Sequence, residues 1–110
     1  MKAILVTGGA GYIGSHIIEL LIKKKFKVFI IDNLSTGYKK LINKKAKFYK
    51  ADINNHKLIR KVIQSNNIES IIHLAGKISI LESEKNPKSY YKNNVQGTLN
   101  LLKASKKTSV

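Results

Sequence analysis

Three continuous apolar runs and one alternating run divide the chain, and the intervals between them carry helical periodicity. Ala3-Ile4-Leu5-Val6 is unbroken to Thr7-Gly8-Gly9, the pattern of a strand buried on both faces. From Tyr12 onward, Ile13, Ile17, Leu20, Leu21 and Lys24 follow helical spacing with the apolar positions clustered on one side, ending in Lys23-Lys24-Lys25, where cations suit the negative end of the helix dipole. Val28-Phe29-Ile30-Ile31 is a second β-branched run, closed by Asp32-Asn33. The stretch 46–51 alternates as a weaker edge strand. Asn54-Asn55 offers caps for a helix carrying Leu58, Ile59, Val62 and Ile63. The run from Ser70 to Ala75 is the next buried strand, stopped by Gly76, and a longer helix starts near Pro87, presents Tyr91, Val95, Leu99 and Leu102, and runs to about Lys106.

The order is strand, helix, strand, strand, helix, strand, helix. Such β–α alternation with apolar strands predicts an α/β fold, a doubly wound parallel sheet of about four strands with helices on both faces. No further strand follows the last helix before Val110, so the fourth strand is expected to have one open edge and the isolated chain to be marginally soluble.

Composition changes little in this picture. In 110 residues, 43% apolar and 25% charged, there is room for one globular domain. The absence of cysteine excludes a disulfide scaffold, a thiolate zinc site and a thiol nucleophile; no metal site is expected. The abnormal quantity is charge: 21 basic against 6 acidic residues, net +15. Nucleic acid or an anionic membrane is the first partner such a charge suggests. Arg60 is the only arginine, however, and a base-reading surface built from lysine alone lacks the bidentate fork suited to guanine and phosphate. Lysine abundance accompanies abundant isoleucine and asparagine, as A/T-rich codons produce, and the basicity is read as solvated faces, with neither nucleic acid nor membrane as partner. No signal-peptide core or membrane-length apolar run occurs, and a cytoplasmic location is expected.

The chemistry is concentrated in Thr7-Gly8-Gly9-Ala10-Gly11-Tyr12-Ile13-Gly14, between the first strand and the first helix. Gly9, Gly11 and Gly14 satisfy G-x-G-x-x-G, and Gly8, Gly11 and Gly14 the spacing G-x-x-G-x-x-G. Glycines serve a sharp turn, close approach of a pyrophosphate to bare backbone, and tight helix–strand packing, while the helix N-terminus offers N–H groups and partial positive charge. Asp32 closes the second strand 18 residues after Gly14. A carboxylate there accepts from adenosine ribose hydroxyls and repels a 2′-phosphate, which favours NAD over NADP. A nucleoside-triphosphate loop is excluded, because Ser15-His16 stands where that motif needs Lys followed by Ser or Thr.

These residues resemble the extended short-chain dehydrogenases/reductases of the NAD-dependent epimerase/dehydratase family, over essentially the whole chain. TGGAGYIGSH at 7–16 is common to many nucleotide-sugar enzymes. DNLSTG at 32–37 is similar to the epimerase branch (UDP-glucose 4-epimerases), and HLAGKISILESEKNPKSYYKNNVQGTLNLL at 73–102 is the most specific stretch. The resemblance implies a Rossmann-like fold of which residues 1–110 are the N-terminal part, with NAD as cofactor. Gly8, Gly11 and Gly14 would form the phosphate turn, and Tyr12 and Ile13 would lie against the pyrophosphate by backbone. Asp32 would hold the adenosine ribose with Asn33, Ser35, Thr36 and Gly37 closing around it. Asp52 and Ile53 would flank the adenine; Leu74, Ala75 and Gly76 would support the nicotinamide-side ribose and phosphates; Asn93 would hydrogen-bond near that loop. Some members carry a cofactor-facing lysine two residues after the Ala-Gly pair. Here that position is Ile78, and Lys77 stands one residue earlier as the candidate contact.

Family chemistry further implies interconversion of UDP-glucose and UDP-galactose through a 4-keto intermediate, using a Tyr-x-x-x-Lys pair, with UDP-hexose as substrate and a homodimer as the whole enzyme. None of the five tyrosines here has lysine four positions on. No catalytic residue is therefore assigned within the chain; the pair, the remaining strands and the sugar-nucleotide domain are expected beyond Val110, and the chain alone is expected to be inactive. His73 is expected to be a packed histidine, Tyr90 and Tyr91 to fill the helix–sheet interface, and Glu82 and Glu84 to be solvated. A sibling dehydratase or decarboxylase, or a noncatalytic module binding NAD or nucleic acid, remains as an alternative at this point.

Overall fold

The computed structural model describes residues 2–34, 40, 42–76 and 80–110. Four strands, β1 (Ala3–Thr7), β2 (Lys27–Asp32), β3 (Lys47–Lys50) and β4 (Ser70–His73), form one parallel sheet in the order β3-β2-β1-β4. The register sets Thr7 opposite both Ile31 and His73. The C-terminal ends of the three strands are thus level, and the loops leaving them emerge side by side. This is the edge of an open α/β sheet where ligands bind.

Alternation along the strands divides the core in two. Leu5, Phe29 and Ile31 point to one face and pack with Ile59, Val62 and Ile63 of α2 (His56–Ser65) and with Leu101 and Ala104 of the last helix. Ile4, Val6, Val28 and Ile30 point to the other, under Ile18 of α1 (Tyr12–Lys23). Helices therefore cover both faces, as a sheet of unbroken apolar strands requires. Asn55 caps α2 by accepting from Leu58 N. α1 closes in a Schellman turn: Phe26 N–H donates to Leu21 O and Lys25 N–H to Ile22 O, with Lys25 left-handed at φ 69°.

The helical periods locate the helices but not always the side that packs. In α1 the buried positions are Gly14 and Ile18, with Leu21 and Ile22 against the same cluster; Ile13 and Leu20, expected on the packed side, are 65% and 55% exposed. Beyond β4 come α3 (Ile80–Lys85), which the sequence reading did not anticipate, α4 (Pro87–Tyr90), a π-helical segment (Tyr91–Gln96) and α5 (Gly97–Ser105). The single helix expected from Pro87 is thus continuous but widened in its middle. Asn86 caps it by accepting from Ser89 N, and Pro87 follows in the first turn. At the junction Thr98 Oγ1 donates back to Asn94 O at 2.7 Å, a bond that loosens a helical ladder. Gly97 presses against Ile53, where a Cβ would lie 2.6 Å from Ile53 Cγ2.

The packed positions of α5 are Gly97, Leu101 and Ala104. The stripe Tyr91, Val95, Leu99 and Leu102 is exposed, from 42% at Val95 to 64% at Leu102. Tyr91 therefore does not fill the helix–sheet interface, and Tyr90 is half-buried with its hydroxyl 3.4 Å from Glu82 Oε2. Small residues win the contact because they allow close helix approach. No helix among the described residues is long and apolar enough to cross a membrane.

Candidate functional site

The turn after β1 is shaped by contacts that exclude side chains. Gly8 has φ 74°, and a Cβ on it would lie 2.8 Å from Ala75 N and from Leu74 C. Only glycine suits both that conformation and that approach. A Cβ on Gly14 would lie 2.5 Å from Gly8 O and 2.8 Å from Gly9 Cα, so the first turn of α1 rests directly on the loop. Gly11 differs. A Cβ there would meet only Gly8 O, at 3.4 Å, and its φ of −78° suits any residue. Nothing in the described protein requires glycine at 11, yet its backbone lines the cleft outside the strand ends.

That cleft encloses about 640 Å³ including the space open to solvent, and is lined by the β1 turn, the ends of β2 and β4, Ala51, Ile53 and Asn93. Gly11 gives α1 no side-chain cap, and the first turn contains no acidic residue. The positive end of the helix is thus left for an anion.

Asp32 ends β2 at the rim of the cleft. Its Oδ2 accepts from Ala10 N at 2.9 Å and its Oδ1 from Leu34 N at 2.7 Å. The first bond ties the carboxylate to the glycine turn. The second holds Leu34 in the left-handed region at φ 62°, a conformation costing a non-glycine residue about 1–2 kcal/mol. A carboxylate offers about four acceptor directions, so two of them remain for hydroxyl donors.

The opposite wall is held by side chains. Thr7, fully buried, accepts through Oγ1 from Leu74 N at 3.1 Å and Ala75 N at 3.3 Å. Its Oγ1 also lies 2.6 Å from Nδ1 of His73, whose Nε2 is 3.0 Å from Thr98 Oγ1. Burial lowers the pKa of His73 below the ordinary histidine value, which favours the neutral ring.

The structure brings Gly8, Gly11, Asp32, Asn33, Ile53, Leu74, Ala75, Gly76 and Asn93 together around one cleft. Gly14 is buried beneath the turn. Tyr12 and Ile13 open α1 with exposed side chains, which leaves them only a backbone part. Asp52 is not among the lining residues; its Oδ1 accepts from Asn54 N and closes a local turn. Ser35, Thr36, Gly37 and Lys77 lie outside the described residues. The sequence reading missed Thr7, Ile31 and Ala51, which also line the cleft. Their position at or just past strand C-termini was the available signal. Among the described residues no His, Asp and Glu cluster of metal-binding kind occurs.

The model of the NAD dependent epimerase/dehydratase family matches residues 4–110. A UDP-glucose 4-epimerase of Lactobacillus helveticus is 42% identical over 107 residues, covering 97% of this chain and 32% of its own. Among solved structures, the UDP-glucose 4-epimerase of Thermotoga maritima with UDP-glucose superposes with a TM-score of 0.91 at 38% identity, over 94% of this chain and 34% of the other. The Brucella ovis UDP-glucose 4-epimerase in complex with NAD gives 0.91 at 35% identity, over 96% and 32%. The chain spans about a third of the length of the curated relatives it matches.

Proposed function

The chain belongs to the NAD dependent epimerase/dehydratase family, and from that membership we propose that its cleft is the NAD-binding portion of a UDP-glucose 4-epimerase, which interconverts UDP-glucose and UDP-galactose through a 4-keto intermediate. The observation that carries the reading is Gly11. Its lack of a side chain serves no contact within the described protein, but leaves bare backbone facing the cleft at an uncapped helix N-terminus. A diphosphate needs that combination. The solved relatives named above hold NAD or UDP-glucose, which supports carrying both over to this family member.

In this reading Gly8, Gly11 and the backbone of Tyr12 and Ile13 receive the pyrophosphate, and Asp32 with Asn33 takes the adenosine ribose. Ile53 lies on the adenine side, and Leu74, Ala75, Gly76 and Asn93 support the nicotinamide half. Asp32 disfavours a 2′-phosphate by like-charge repulsion. NAD, when bound, supplies a reversible hydride acceptor for the sugar C4. The chain's own residues position and select; they hold no Tyr-x-x-x-Lys pair, and the chain alone should not turn over UDP-galactose.

Isothermal calorimetry tests this directly. NAD+ should bind, and NADP+ should bind at least about tenfold more weakly, the equivalent of 1.4 kcal/mol. Absence of heat with NAD+ from the folded chain, or equal affinity for NADP+, overturns the assignment.

A further inference from the structure

His73 lies behind the cleft, not among the residues lining it, and both of its ring nitrogens are engaged by threonine hydroxyls from different elements. The proton positions follow from acceptor counting. Thr98 Oγ1 commits its own hydrogen to Asn94 O at 2.7 Å. It can then serve His73 only as an acceptor, which places a hydrogen on Nε2. At the other end Thr7 Oγ1 accepts from Ala75 N at 3.3 Å and shares the Leu74 N–H, at 3.1 Å, with the nearer backbone oxygen of Thr7 at 2.9 Å. A neutral ring with its hydrogen on Nε2 leaves Nδ1 bare, and the Thr7 hydroxyl, with two amides on its acceptor side, donates its one hydrogen there. The Thr98 end places a hydrogen on Nε2 and the Thr7 end, 91 residues away in sequence, favours a bare Nδ1; together they describe one neutral ring.

We propose that His73 is a positioning residue fixed as the Nε2–H tautomer, and that the relay Thr7–His73–Thr98–Asn94 clamps the Leu74–Gly76 wall and the Asn93–Asn94 turn at the spacing the nicotinamide half of a dinucleotide needs. The proposal rests on the cofactor reading above. The relay starts at the end of β1, passes through the end of β4 and the first turn of α5, and finishes in the π-helical segment; Gly8 and Leu74–Gly76 directly follow the two strands, and Asn93 lies in that segment. A ring protonated at Nδ1 as well would turn a donor toward Thr7 Oγ1, where two amide N–H groups already point. The clamp therefore holds only with the neutral ring, and both partners are uncharged hydroxyls that offer an imidazolium no compensation.

The chain has three histidines, so long-range ¹H–¹⁵N spectra of the imidazoles, assigned with His73→Gln, read the tautomer on the unaltered chain. His73 should show a pyrrole-type Nε2 and a pyridine-type Nδ1, and Thr98→Val should release it into a mixture of tautomers. Calorimetry should find NAD+ binding weakened about tenfold in His73→Phe, the loss of roughly one hydrogen bond's net contribution, and largely restored in His73→Gln, whose amide can still donate to Thr98. Circular dichroism checks that the variants are folded; if His73→Phe is not, the tautomer in the unaltered chain and the affinity of Thr98→Val decide. An Nδ1–H tautomer, or unchanged NAD+ affinity in folded His73→Phe, overturns the clamp while leaving the cofactor reading intact. No NAD+ heat from the unaltered chain overturns the cofactor reading and the clamp's purpose with it.

Discussion

The two walls of the cleft are built by different means. The wall after β1 is made by subtraction: Gly8 and Gly14 lie where a single carbon would strike backbone atoms within 2.8 Å. The wall after β4 is made by addition, since Thr7, His73 and Thr98 spend their polar atoms holding the backbone of Leu74 and Ala75 in place. A wall defined by excluded volume tolerates no substitution that adds volume, whereas one defined by hydrogen bonds yields in proportion to the bonds removed. The first should fail abruptly, the second by degrees.

The largest effect should come from Gly14→Ala. Its Cβ meets Gly8 O and Gly9 Cα, neither of which is the end of a flexible side chain, and the strain should cost about 3 kcal/mol, at the upper end of overpacking effects. Urea unfolding measures it; a midpoint unchanged from the parent would erase the contrast between the walls. Thr7→Val, nearly the same shape, should cost about 2 kcal/mol by leaving Ala75 N and the His73 ring without their partner, while Leu74 N keeps its bond to the backbone carbonyl at position 7, read in the same experiment.

Lowering the pH should act on the second wall alone. His73 has its pKa lowered in the folded state by burial, so below the unfolded value of about 6.5 the unfolded chain binds more protons than the folded one. Its contribution to stability is therefore complete above that value and declines as pH falls from about 6.5 toward the lowered folded pKa. Unfolding followed between pH 7.5 and 5 should show this decline in the parent and its loss in His73→Gln. The smallest effect on stability belongs to Gly11→Ala. With a Cβ neighbour only at 3.4 Å and an ordinary φ, stability should change by less than about 1 kcal/mol, and can rise through reduced unfolded-state entropy. NAD+ affinity should nonetheless fall at least about tenfold, a split between stability and binding that marks a glycine kept for a ligand.

The first wall was legible in the sequence, because the chemistry of a bare-backbone turn admits one residue type at fixed local spacing. Asp32 was legible for the same reason, standing at the end of an apolar run. The lining of the second wall, Leu74–Gly76 and Asn93, was expected from the resemblance, but the side chains that hold it were not legible, since Thr7, His73 and Thr98 are ordinary residues whose proximity exists only after β1 and β4 pair in register and α5 docks. The strands were visible as β-branched runs. The packed faces of α1 and α5 were partly misjudged because hydrophobic periodicity weights bulk, while these helices approach their neighbours through Gly14, Gly97 and Ala104. Asp52, expected beside the adenine, accepts from Asn54 N through Oδ1 and adjoins Ile53 of the cleft lining, and its other oxygen keeps its acceptor directions.

Leu34 gives the rim a property that matters to anyone re-engineering coenzyme preference. Its left-handed backbone is anchored by the same carboxylate that would discriminate against a 2′-phosphate. Replacing Asp32 with a neutral residue to admit NADP+ would thus also untie the strained peptide beside it. Pairing that exchange with Leu34→Gly, which removes the steric objection to the turn, should uncouple selectivity from loop integrity.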